Sequence, residues 1–397
     1  MSQRIALLTR CLDGGGIQRS LITLGEAFVE RGYDVDLVVG DALGPMREAC
    51  PVSMRLLALP ISPVLRSRVW LIAADPAGAS AAWPLLLGPS PRMVRHLPAL
   101  VRYLREERPG AVVAAGTQAN LAAILARRMT RLGTRIVVSE RNAMSVVARR
   151  GRGGFRRAYP LVARRLFPEA DAIVAVSQAV ADDLVALDVA PRERVFTIHN
   201  PVVTRGFDAL IAEPLEHPWL RDGEVPVVLA VGRLHWQKDF PTLLRAFRLM
   251  SAIRKMRLVI LGEGDERGKL EALSRSLGIA ERVLLPGFVA NPFPWMARAA
   301  VVVVSSLLEG FGRVLPEAMA CGCPVVSVDC PGGPREILDH GRYGPLVPVG
   351  NEQALADAVL ASLVRPPDRA ALRQRANQFS ADAAAERYLE ILFPRPC

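Results

Sequence analysis

Short apolar runs alternate along the chain with longer stretches in which apolar residues recur every three or four positions. The runs are apolar throughout, which is typical of strands buried on both faces of a parallel sheet, and the stretches have the period of helices that bury one side. The pattern predicts an α/β fold. The strands predicted in the first half are Ile5–Thr9, Val35–Val39, Ala111–Ala115, Ile136–Ser139 and Ala172–Val176. The helices predicted between them are Ile17–Arg31, Val94–Glu107, Asn120–Leu132 and Gln178–Leu187.

The same alternation starts again after a polar, proline-containing passage, Asn200–Val225. The second set of predicted strands is Val227–Val231, Arg257–Leu261, Arg282–Leu285, Ala300–Ser305 and Pro324–Asp329. Its predicted helices are Asp239–Ser251, Arg267–Leu277 and Pro316–Ala320, with a last helix at Ser380–Leu392.

The repeated pattern predicts two doubly wound parallel-sheet (Rossmann-like) domains that face each other across a cleft. The boundaries that we expect are 1–205 for the first domain and 206–379 for the second, with residues 380–397 returning to the first. Ligands of such open sheets bind at the carboxyl ends of the strands. Residues just after predicted strands are therefore the first candidates for a site.

Composition narrows the class of protein. Of the 397 residues, 51% are hydrophobic, which excludes an intrinsically disordered chain. The six cysteines form no C-x-x-C pair and are too few for a disulfide scaffold, so we expect reduced thiols in the cytoplasm. The five histidines show no metal-ligand spacing, and we expect neither a catalytic metal nor a cofactor.

Two apolar segments are candidates for a signal peptide or a membrane-spanning helix. The amino-terminal apolar run is interrupted by Arg4 and Arg10, so we do not interpret it as a signal peptide. The run Val69–Gly88 is interrupted by Asp75 and by prolines, which favours a loop or helix resting on a membrane surface or lining an apolar groove over a true span. The expected location is cytoplasmic, with peripheral attachment at the inner face of the plasma membrane as an option.

The charge is unevenly distributed. Residues 1–205 contain 28 Arg, no Lys and 17 acids, so the whole formal net charge of +11 lies there. The stretch Arg127–Arg165 alone has twelve Arg against the single acid Glu140, and its segment ARRGRGGFRRAYP indicates an exposed loop. Such a patch would attract anionic lipid headgroups or nucleic acid, or it is an ordinary solvated surface. No aromatic stacking ladder accompanies the arginines, so we do not expect nucleic acid as a partner.

The sharpest motif follows the predicted strand Ala300–Ser305. Two serines and a glycine-rich loop lead into a short helix that has Pro316 in its first turn and stops at Gly322. Backbone N–H groups at such a position suit a phosphate, and the flanking carboxylates Glu309 and Glu317 could accept hydrogen bonds from sugar or ribose hydroxyls. The motif therefore suggests a nucleotide-sugar. The alternative is one solvated glutamate and one glutamate that favours the start of a helix.

Two further loops follow predicted strands. Arg233 and Lys238 lie just after Val227–Val231, where a cation pair would neutralise a diphosphate and stabilise its departure; the alternative is two surface cations. Asp13-Gly14-Gly15-Gly16 follows the first strand, and its glycines would let the backbone approach a ligand closely. This loop lacks the G-x-G-x-x-G spacing of a dinucleotide site.

Together these segments resemble a family 4 retaining glycosyltransferase of the GT-B fold (glycosyltransferase group 1), and the resemblance runs nearly end to end. The matching elements are the E-x7-E pair Glu309–Glu317 with its extension to Leu338, GRL…QKD at Gly232–Asp239, LGEGDER at Leu261–Arg267, LPGFVANPFPWM at Leu285–Met296, VSQAVADDL at Val176–Leu184 and IHNPVV at Ile198–Val203.

The resemblance implies roles for individual residues. The catalytic set it implies is Arg233 and Lys238 on the donor diphosphate and Glu309 on the donor sugar. The implied substrate-binding residues are Glu317 on the ribose, the backbone around Gly310, Phe311, Gly312 and Arg313 on the diphosphate, Phe288 near the base, Gly15 and Gly16 over the donor from the other domain, and Arg141 and Asn142 on the acceptor side. The segment Ser139–Asn142 could equally be a strand-end cap with a surface ion pair.

One position departs from the family pattern. Relatives often have a histidine where this chain has Gln118, which can donate a hydrogen bond but cannot titrate near neutral pH. Catalysis by a general base at this position is therefore in doubt. The resemblance implies retention by front-face substitution, in which the departing phosphate oxygen takes the proton of the incoming hydroxyl.

The expected activity is transfer of a hexose or N-acetylhexosamine from a nucleoside-diphosphate sugar to a hydroxyl. The resemblance to this family favours UDP as the donor nucleotide. The arginine-rich first domain favours a lipid-linked or oligosaccharide acceptor in surface polysaccharide synthesis. We also expect contact with an anionic membrane through Arg127–Arg165. Three alternatives remain: another nucleotide-sugar enzyme of this fold such as an epimerase, a glycosyltransferase of a soluble natural product, and a non-catalytic nucleotide-sugar-binding partner of a synthase complex.

Overall fold

The computed structural model describes residues 3–76, 92–150, 154–221 and 225–394. The chain divides into two compact units. Unit 1 consists of Met1–Pro201 and Ala381–Cys397, and unit 2 of Val202–Ser380.

Unit 1 is built on a parallel sheet of seven strands in the order β3-β2-β1-β4-β5-β6-β7. The strands are β1 (Arg4–Cys11), β2 (Asp34–Asp41), β3 (Arg55–Ala58), β4 (Ala111–Ala115), β5 (Arg135–Glu140), β6 (Ala172–Ala175) and β7 (Val195–Thr197). All five strands predicted in this half are confirmed. The two that the pattern missed, β3 and β7, are the short edge strands, whose side chains are only partly buried and therefore lack a continuous apolar run.

Helices lie between these strands. They are α1 (Gly16–Val29), α2 (Val64–Ala74), α3 (Leu97–Glu107), α4 (Thr117–Thr130), α5 (Met144–Arg150), α6 (Gly154–Leu166) and α7 (Gln178–Ala186). The prediction of an exposed loop at ARRGRGGFRRAYP was wrong for its described residues, which belong to α5 and α6 and include the buried Tyr159. Residues 151–153 of this segment lie outside the described residues. Apolar residues at Tyr159, Val162, Ala163 and Leu166 have a helical period that the arginines between them obscure.

Unit 2 has a parallel sheet of six strands in the order β10-β9-β8-β11-β12-β13. The strands are β8 (Val227–Val231), β9 (Arg257–Leu261), β10 (Val283–Gly287), β11 (Val301–Val304), β12 (Val325–Val328) and β13 (Leu346–Val347). Its helices are α8 (Phe207–Ala212), α9 (Pro218–Arg221), α10 (Phe240–Ile253), α11 (Arg267–Ser276), α12 (Phe293–Arg298), α13 (Val314–Ala320), α14 (Pro334–Ile337), α15 (Glu352–Val364) and α16 (Arg369–Asn377). The predicted fold class of two parallel α/β sheets is confirmed.

The order of the second sheet brings three loops together. Strand β11 pairs with β8 on one side and with β12 on the other, all in parallel. The segments after these strands, which begin at Gly232, Ser305 and Asp329, therefore start at one edge of the sheet.

The last helix, α17 (Ala381–Leu392), packs against α1 of unit 1. The rings of Tyr388 and Phe28 meet edge to face with their centroids 6.5 Å apart, and the Tyr388 hydroxyl lies 3.3 Å from Ser139 Oγ. At the helix start, Arg31 Nη2 lies 2.7 Å from Asp382 Oδ1. Residues 381–392 thus complete the core of unit 1.

Within the described ranges, no helix is both long and apolar enough to cross a membrane. The candidate run Val69–Gly88 begins in α2, and its part from residue 77 onward lies outside the described residues.

Replacement of Tyr388 by alanine should lower the free energy of unfolding of unit 1 by about 3–5 kcal/mol, because it removes a buried ring from between α1 and β5. Urea unfolding monitored by circular dichroism measures the effect. Arg387→Ala on the exposed side of the same helix is the control, and equal stability of the two variants would contradict the packing of α17.

Candidate functional site

The centre of the site in unit 2 is an ion pair between the loops after β8 and β11. Lys238 Nζ lies 2.5 Å from Glu309 Oε1, and the hydroxyl of Ser306 donates to the same oxygen at 2.7 Å. Glu309 is buried and Lys238 is about four-fifths buried. The structure therefore brings together two of the residues named from the sequence and adds Ser306 to them.

Hydrogen bonds to the backbone hold these two loops side by side. The amide of Leu307 donates to the carbonyl of Gln237 at 2.8 Å, and the Gln237 side chain donates to the carbonyl of Leu308 at 2.9 Å. Ser305 Oγ donates to the carbonyl of Lys238 at 2.8 Å. The ion pair consequently rests on a fixed backbone and does not depend on two long side chains meeting by chance.

A third loop, after β12, fixes the backbone of Glu309. The Glu309 amide donates to the carbonyl of Pro331 at 3.2 Å, and Glu309 forms an isolated bridge with Gly332. Gly332 has φ +124, and a Cβ at this residue would lie 1.4 Å from the carbonyl oxygen of Glu309. Only glycine fits there.

A buried thiol, Cys330, lies close to this pair. Burial, together with the negative charge of Glu309, raises the pKa of Cys330 to about 12, against the lowering effect of Lys238. A thiol with so high a pKa stays protonated at neutral pH and is a poor nucleophile. We therefore assign Cys330 to packing.

Glu317 has a partner of its own on helix α13. Its Oε1 lies 3.2 Å from both Nε and Nη2 of Arg313, one helical turn earlier, and both side chains are less than one-tenth exposed. The interpretation of one of the two glutamates as solvated is excluded, because Glu309 and Glu317 are both buried. The predicted stop of the helix at Gly322 is confirmed, since Gly322 follows its last turn with φ +72.

The other candidates of unit 2 lie around this centre. Gly310, Phe311 and Gly312 are buried in the loop, where Gly312 has φ +91 and the ring of Phe311 packs edge to face on Phe379. Arg233 is exposed, and no hydrogen bond or ion pair engages it within the described residues. Phe288 is 52% exposed after β10 at the edge of the sheet. Among the described residues, no hydrogen bond or ion pair joins Arg233 or Phe288 to Lys238 or Glu309.

In unit 1, Gly15 and Gly16 are exposed at the start of α1, with Gly15 as its N-cap. Gln118 lies in the first turn of α4, and its Oε1 accepts a hydrogen bond from the backbone N–H of Met93 at 3.1 Å. The side-chain amide of Gln118 therefore holds the turn Arg92–His96 beside the carboxyl end of β4.

A buried polar cluster follows β5. Glu140 Oε2 accepts the Tyr159 hydroxyl at 2.8 Å, and Oε1 accepts the Arg141 amide at 3.1 Å. Burial raises the pKa of Glu140 to about 7, although these hydrogen bonds and one from the Asn142 amide favour the ionised form. The Arg141 side chain donates to Asn200 Oδ1. Arg141 is only 7% exposed, so the interpretation as a surface ion pair was wrong.

Three supporting residues were not predicted from the sequence. Ser306 was noted only as part of a strand end. Gly332 and Asn200 were not named individually, although they lie in the family-like segments Glu317–Leu338 and Ile198–Val203. Gly332 and Asn200 are 23 and 59 residues from the partners they contact, so their roles depend on tertiary structure.

The arginine-rich stretch is partly neutralised by acids from outside it. Arg127 pairs with Asp171, and Arg128 pairs with Glu169 and with Asp75. Asp75 also pairs with Arg165. Exposed arginines remain at positions 131, 149, 156, 157 and 164.

Comparisons with known proteins agree on the class of the two units. The model of "Glycosyl transferases group 1" matches residues 225–364, and that of "Glycosyltransferase Family 4" matches residues 14–205. Of the solved structures, Anabaena HepE in complex with UDP-glucose has a TM-score of 0.76 and 20% identity, with 98% of this chain and 99% of that chain covered. At this identity the likeness shows the fold.

Two curated relatives match about half of the chain. The N-acetylgalactosamine-N,N'-diacetylbacillosaminyl-diphospho-undecaprenol 4-alpha-N-acetylgalactosaminyltransferase of Campylobacter jejuni is 34% identical over 53% of this chain. The lipopolysaccharide core biosynthesis glycosyltransferase LpsE of Rhizobium meliloti is 30% identical over 58%. The matches span 56% and 66% of the length of these relatives.

Gly332→Ala should displace the backbone of Glu309 and weaken binding of nucleoside diphosphates, because the new Cβ would overlap the Glu309 carbonyl oxygen. We also expect about 1–3 kcal/mol of lost stability from the left-handed backbone at this residue. Calorimetric titration with UDP and thermal unfolding measure the two effects. Gly268→Ala is the control, because Gly268 lies in a helix and a Cβ added there would have no atom within 4 Å. It should lower neither the UDP affinity nor the stability. Unaltered UDP affinity in Gly332→Ala would argue against a role for this loop.

Proposed function

Because the chain belongs to the glycosyltransferases of group 1 and family 4, we propose that it transfers a hexose or an N-acetylhexosamine from a nucleoside-diphosphate sugar to an acceptor hydroxyl. The proposed donor nucleotide is UDP, and the proposed acceptor is a lipid-linked or glycan molecule in surface polysaccharide synthesis. The observation that carries the proposal is the buried contact of Lys238 and Ser306 with Glu309 at the carboxyl edge of the sheet of unit 2.

Lys238 and Arg233 are the proposed diphosphate ligands. One N–H of the Lys238 ammonium is directed at Glu309, which leaves two for phosphate oxygens. Arg233 lies in the same loop, is exposed and would add a second positive charge. Such cations stabilise the charge that develops on a departing diphosphate. Since the side chains supply this charge, the proposed reaction needs no added magnesium.

Glu309 is the proposed contact to the donor sugar. Its Oε1 is occupied by Lys238 and Ser306, whereas Oε2 has no hydrogen-bond partner among the described residues. A carboxylate oxygen held in this way can accept a hydrogen bond from a sugar hydroxyl. Glu317, paired with Arg313, is proposed for the ribose.

The proposed reaction retains the anomeric configuration. The bond between the anomeric carbon and the diphosphate oxygen breaks, and the acceptor oxygen forms its bond on the same face of the sugar. The departing phosphate oxygen takes the proton of the acceptor hydroxyl. Gln118 fits this scheme because its amide oxygen is already bonded to the Met93 backbone and no base is required of it.

The nature of the acceptor is proposed from the relatives and from the surface of unit 1. The Campylobacter relative is named for a diphospho-undecaprenol substrate, and the Rhizobium relative for lipopolysaccharide core synthesis. An acceptor of this kind would be presented at a membrane. We therefore propose that the chain meets an anionic membrane surface through the exposed arginines of Arg127–Arg165.

Exposed apolar side chains support this surface. Leu161 of α6 is 65% exposed, with the exposed arginines 157 and 164 one turn away on either side. Helix α2 exposes Leu65, Val69 and Ile72, which share one face because they are spaced by four and three residues. The two helices are connected through the ion pair of Arg165 with Asp75, the residue that follows α2.

A panel of UDP-, GDP-, ADP- and TDP-sugars, with and without magnesium, tests the donor site by thermal unfolding. The cognate donor at 100 times its Kd should stabilise the wild type by about 2.7 kcal/mol. Lys238→Met should abolish most of this effect, since it removes the cation that faces the diphosphate.

Lys269→Met is the matched control, because Lys269 lies on an exposed helix of the same unit and pairs only with Glu266. Equal stabilisation of Lys238→Met and the wild type would contradict the proposed site. A donor that binds but is never turned over with any lipid-linked or soluble acceptor would instead favour the non-catalytic alternative. Turnover with a soluble acceptor alone would favour natural-product glycosylation.

Flotation with vesicles tests the membrane surface. Arg156→Gln/Arg157→Gln should weaken partition onto phosphatidylglycerol vesicles by roughly 30-fold, at about 1 kcal/mol for each basic residue. Leu65→Ser/Val69→Ser should weaken it through lost apolar contact, and Ile253→Ser, at a similarly exposed position in unit 2, should not. Equal binding of the wild type to neutral and anionic vesicles would count against the electrostatic part.

A further inference from the structure

Arg141 is the most deeply buried arginine of unit 1 whose exposure the structure gives, and it lacks the carboxylate partner that other partly buried arginines of this unit have. Arg55 pairs with Asp36, and Arg31 with Asp382. Arg141 pairs with no carboxylate among the described residues. Its Nη1 donates to the neutral amide oxygen of Asn200, and its Nε is buried with no hydrogen-bond partner.

The adjacent acid does not replace the missing partner. Glu140 directs one carboxylate oxygen at the Tyr159 hydroxyl and the other at the backbone amide of Arg141, so neither oxygen is bonded to the guanidinium. A guanidinium has five N–H donors, and within the described part of the chain the side chain of Arg141 makes one hydrogen bond. The negative charge of Glu140 acts on this cation, but it does not satisfy the buried N–H donors of the guanidinium, and a buried donor without a partner is costly.

Arg141 lies at the edge of the sheet where ligands of this kind of fold bind. Arg141 directly follows β5, and Asn200 lies three residues after β7, so both are at the carboxyl edge of the sheet of unit 1. Open parallel sheets bind ligands at this edge. Asn200 is itself only 7% exposed and fixes one end of the guanidinium, which leaves the other end to a ligand.

We propose that Arg141, held by Asn200, binds an oxyanion of the acceptor, either a phosphate or a carboxylate group. This inference rests on the proposed function and extends it, because it makes the acceptor an anionic molecule and assigns its recognition to unit 1. The planar fork of the arginine suits either oxyanion, since both offer two oxygens at the spacing of its N–H groups. Asn200 is a positioning residue that orients the fork.

The test uses the full chain with saturating UDP, so that phosphate contacts in unit 2 are already occupied. Inorganic phosphate and glucuronate are titrated separately, and the Arg141 Nε–H resonance is followed in protein labelled with ¹⁵N at arginine. We expect one of the two anions to shift this resonance and to raise the melting temperature. Arg141→Gln should weaken the binding of that anion by about tenfold or more, as expected for hydrogen bonds to a charged group.

Two further variants keep the test decisive if Arg141→Gln folds poorly. Asn200→Asp places a carboxylate on Nη1 with almost no change of shape, so it should raise the melting temperature without anion and remove the response to it. Arg135→Gln is the control, because Arg135 is half-buried and donates only to the carbonyl of Ile391, 2.7 Å away. It should leave the response intact.

The outcomes separate this inference from the proposed function. No shift of the Nε–H resonance with either anion, or an undiminished response in Arg141→Gln, would overturn the oxyanion site. Absence of stabilisation by any nucleotide-sugar would overturn the donor site in unit 2 and leave the Arg141 result standing. With an anionic acceptor, Arg141→Gln should raise the KM for the acceptor and leave the KM for the donor unchanged.

Discussion

The contact on which the site of unit 2 depends is the ion pair between Lys238 and Glu309. Removal of either partner would leave the other charge largely buried, and a charge in that position costs several kcal/mol unless it is compensated. Ser306 and the backbone around Leu307, Leu308 and Gly332 reduce the freedom of both side chains. A donor diphosphate would therefore meet a lysine that is already oriented, which lowers the entropic cost of binding.

The excess of positive charge lies in unit 1, where part of it is neutralised by nearby acids. Three arginines of the arginine-rich stretch, Arg127, Arg128 and Arg165, pair with Asp75, Glu169 or Asp171, which lie outside the stretch in sequence. The charge available to a partner is therefore smaller than the sequence suggests and lies on the exposed arginines of α5 and α6 and at Arg131. Apolar side chains of α2 and α6 are exposed as well, and this combination of apolar and basic surface is what proteins that lie on anionic membranes use.

Much of the fold and the centre of the site could be predicted from the sequence, for a physical reason. Central parallel strands are apolar on both faces, so β8 and β11 stand out, and any residue directly after them lies at the functional edge. Lys238 and Glu309 were found in this way. Edge strands such as β3 are half-polar and give no such signal. The helix that carries Tyr159 was mistaken for a loop because arginines and glycines obscure its buried positions.

What the sequence could not reveal is how buried charges are partnered, because that depends on residues distant along the chain. Lys238 and Arg141 both follow central strands of parallel sheets, and from the sequence both could be solvated. The structure distinguishes them: Lys238 has a carboxylate from a residue 71 positions away, whereas Arg141 has only a neutral amide from a residue 59 positions away. Because a carboxylate already offsets part of its charge, a cation such as Lys238 binds an anion less tightly and can release it as a leaving group. A cation without one gains more from a bound anion, which suits a group that must be held while the reaction takes place elsewhere on the same molecule.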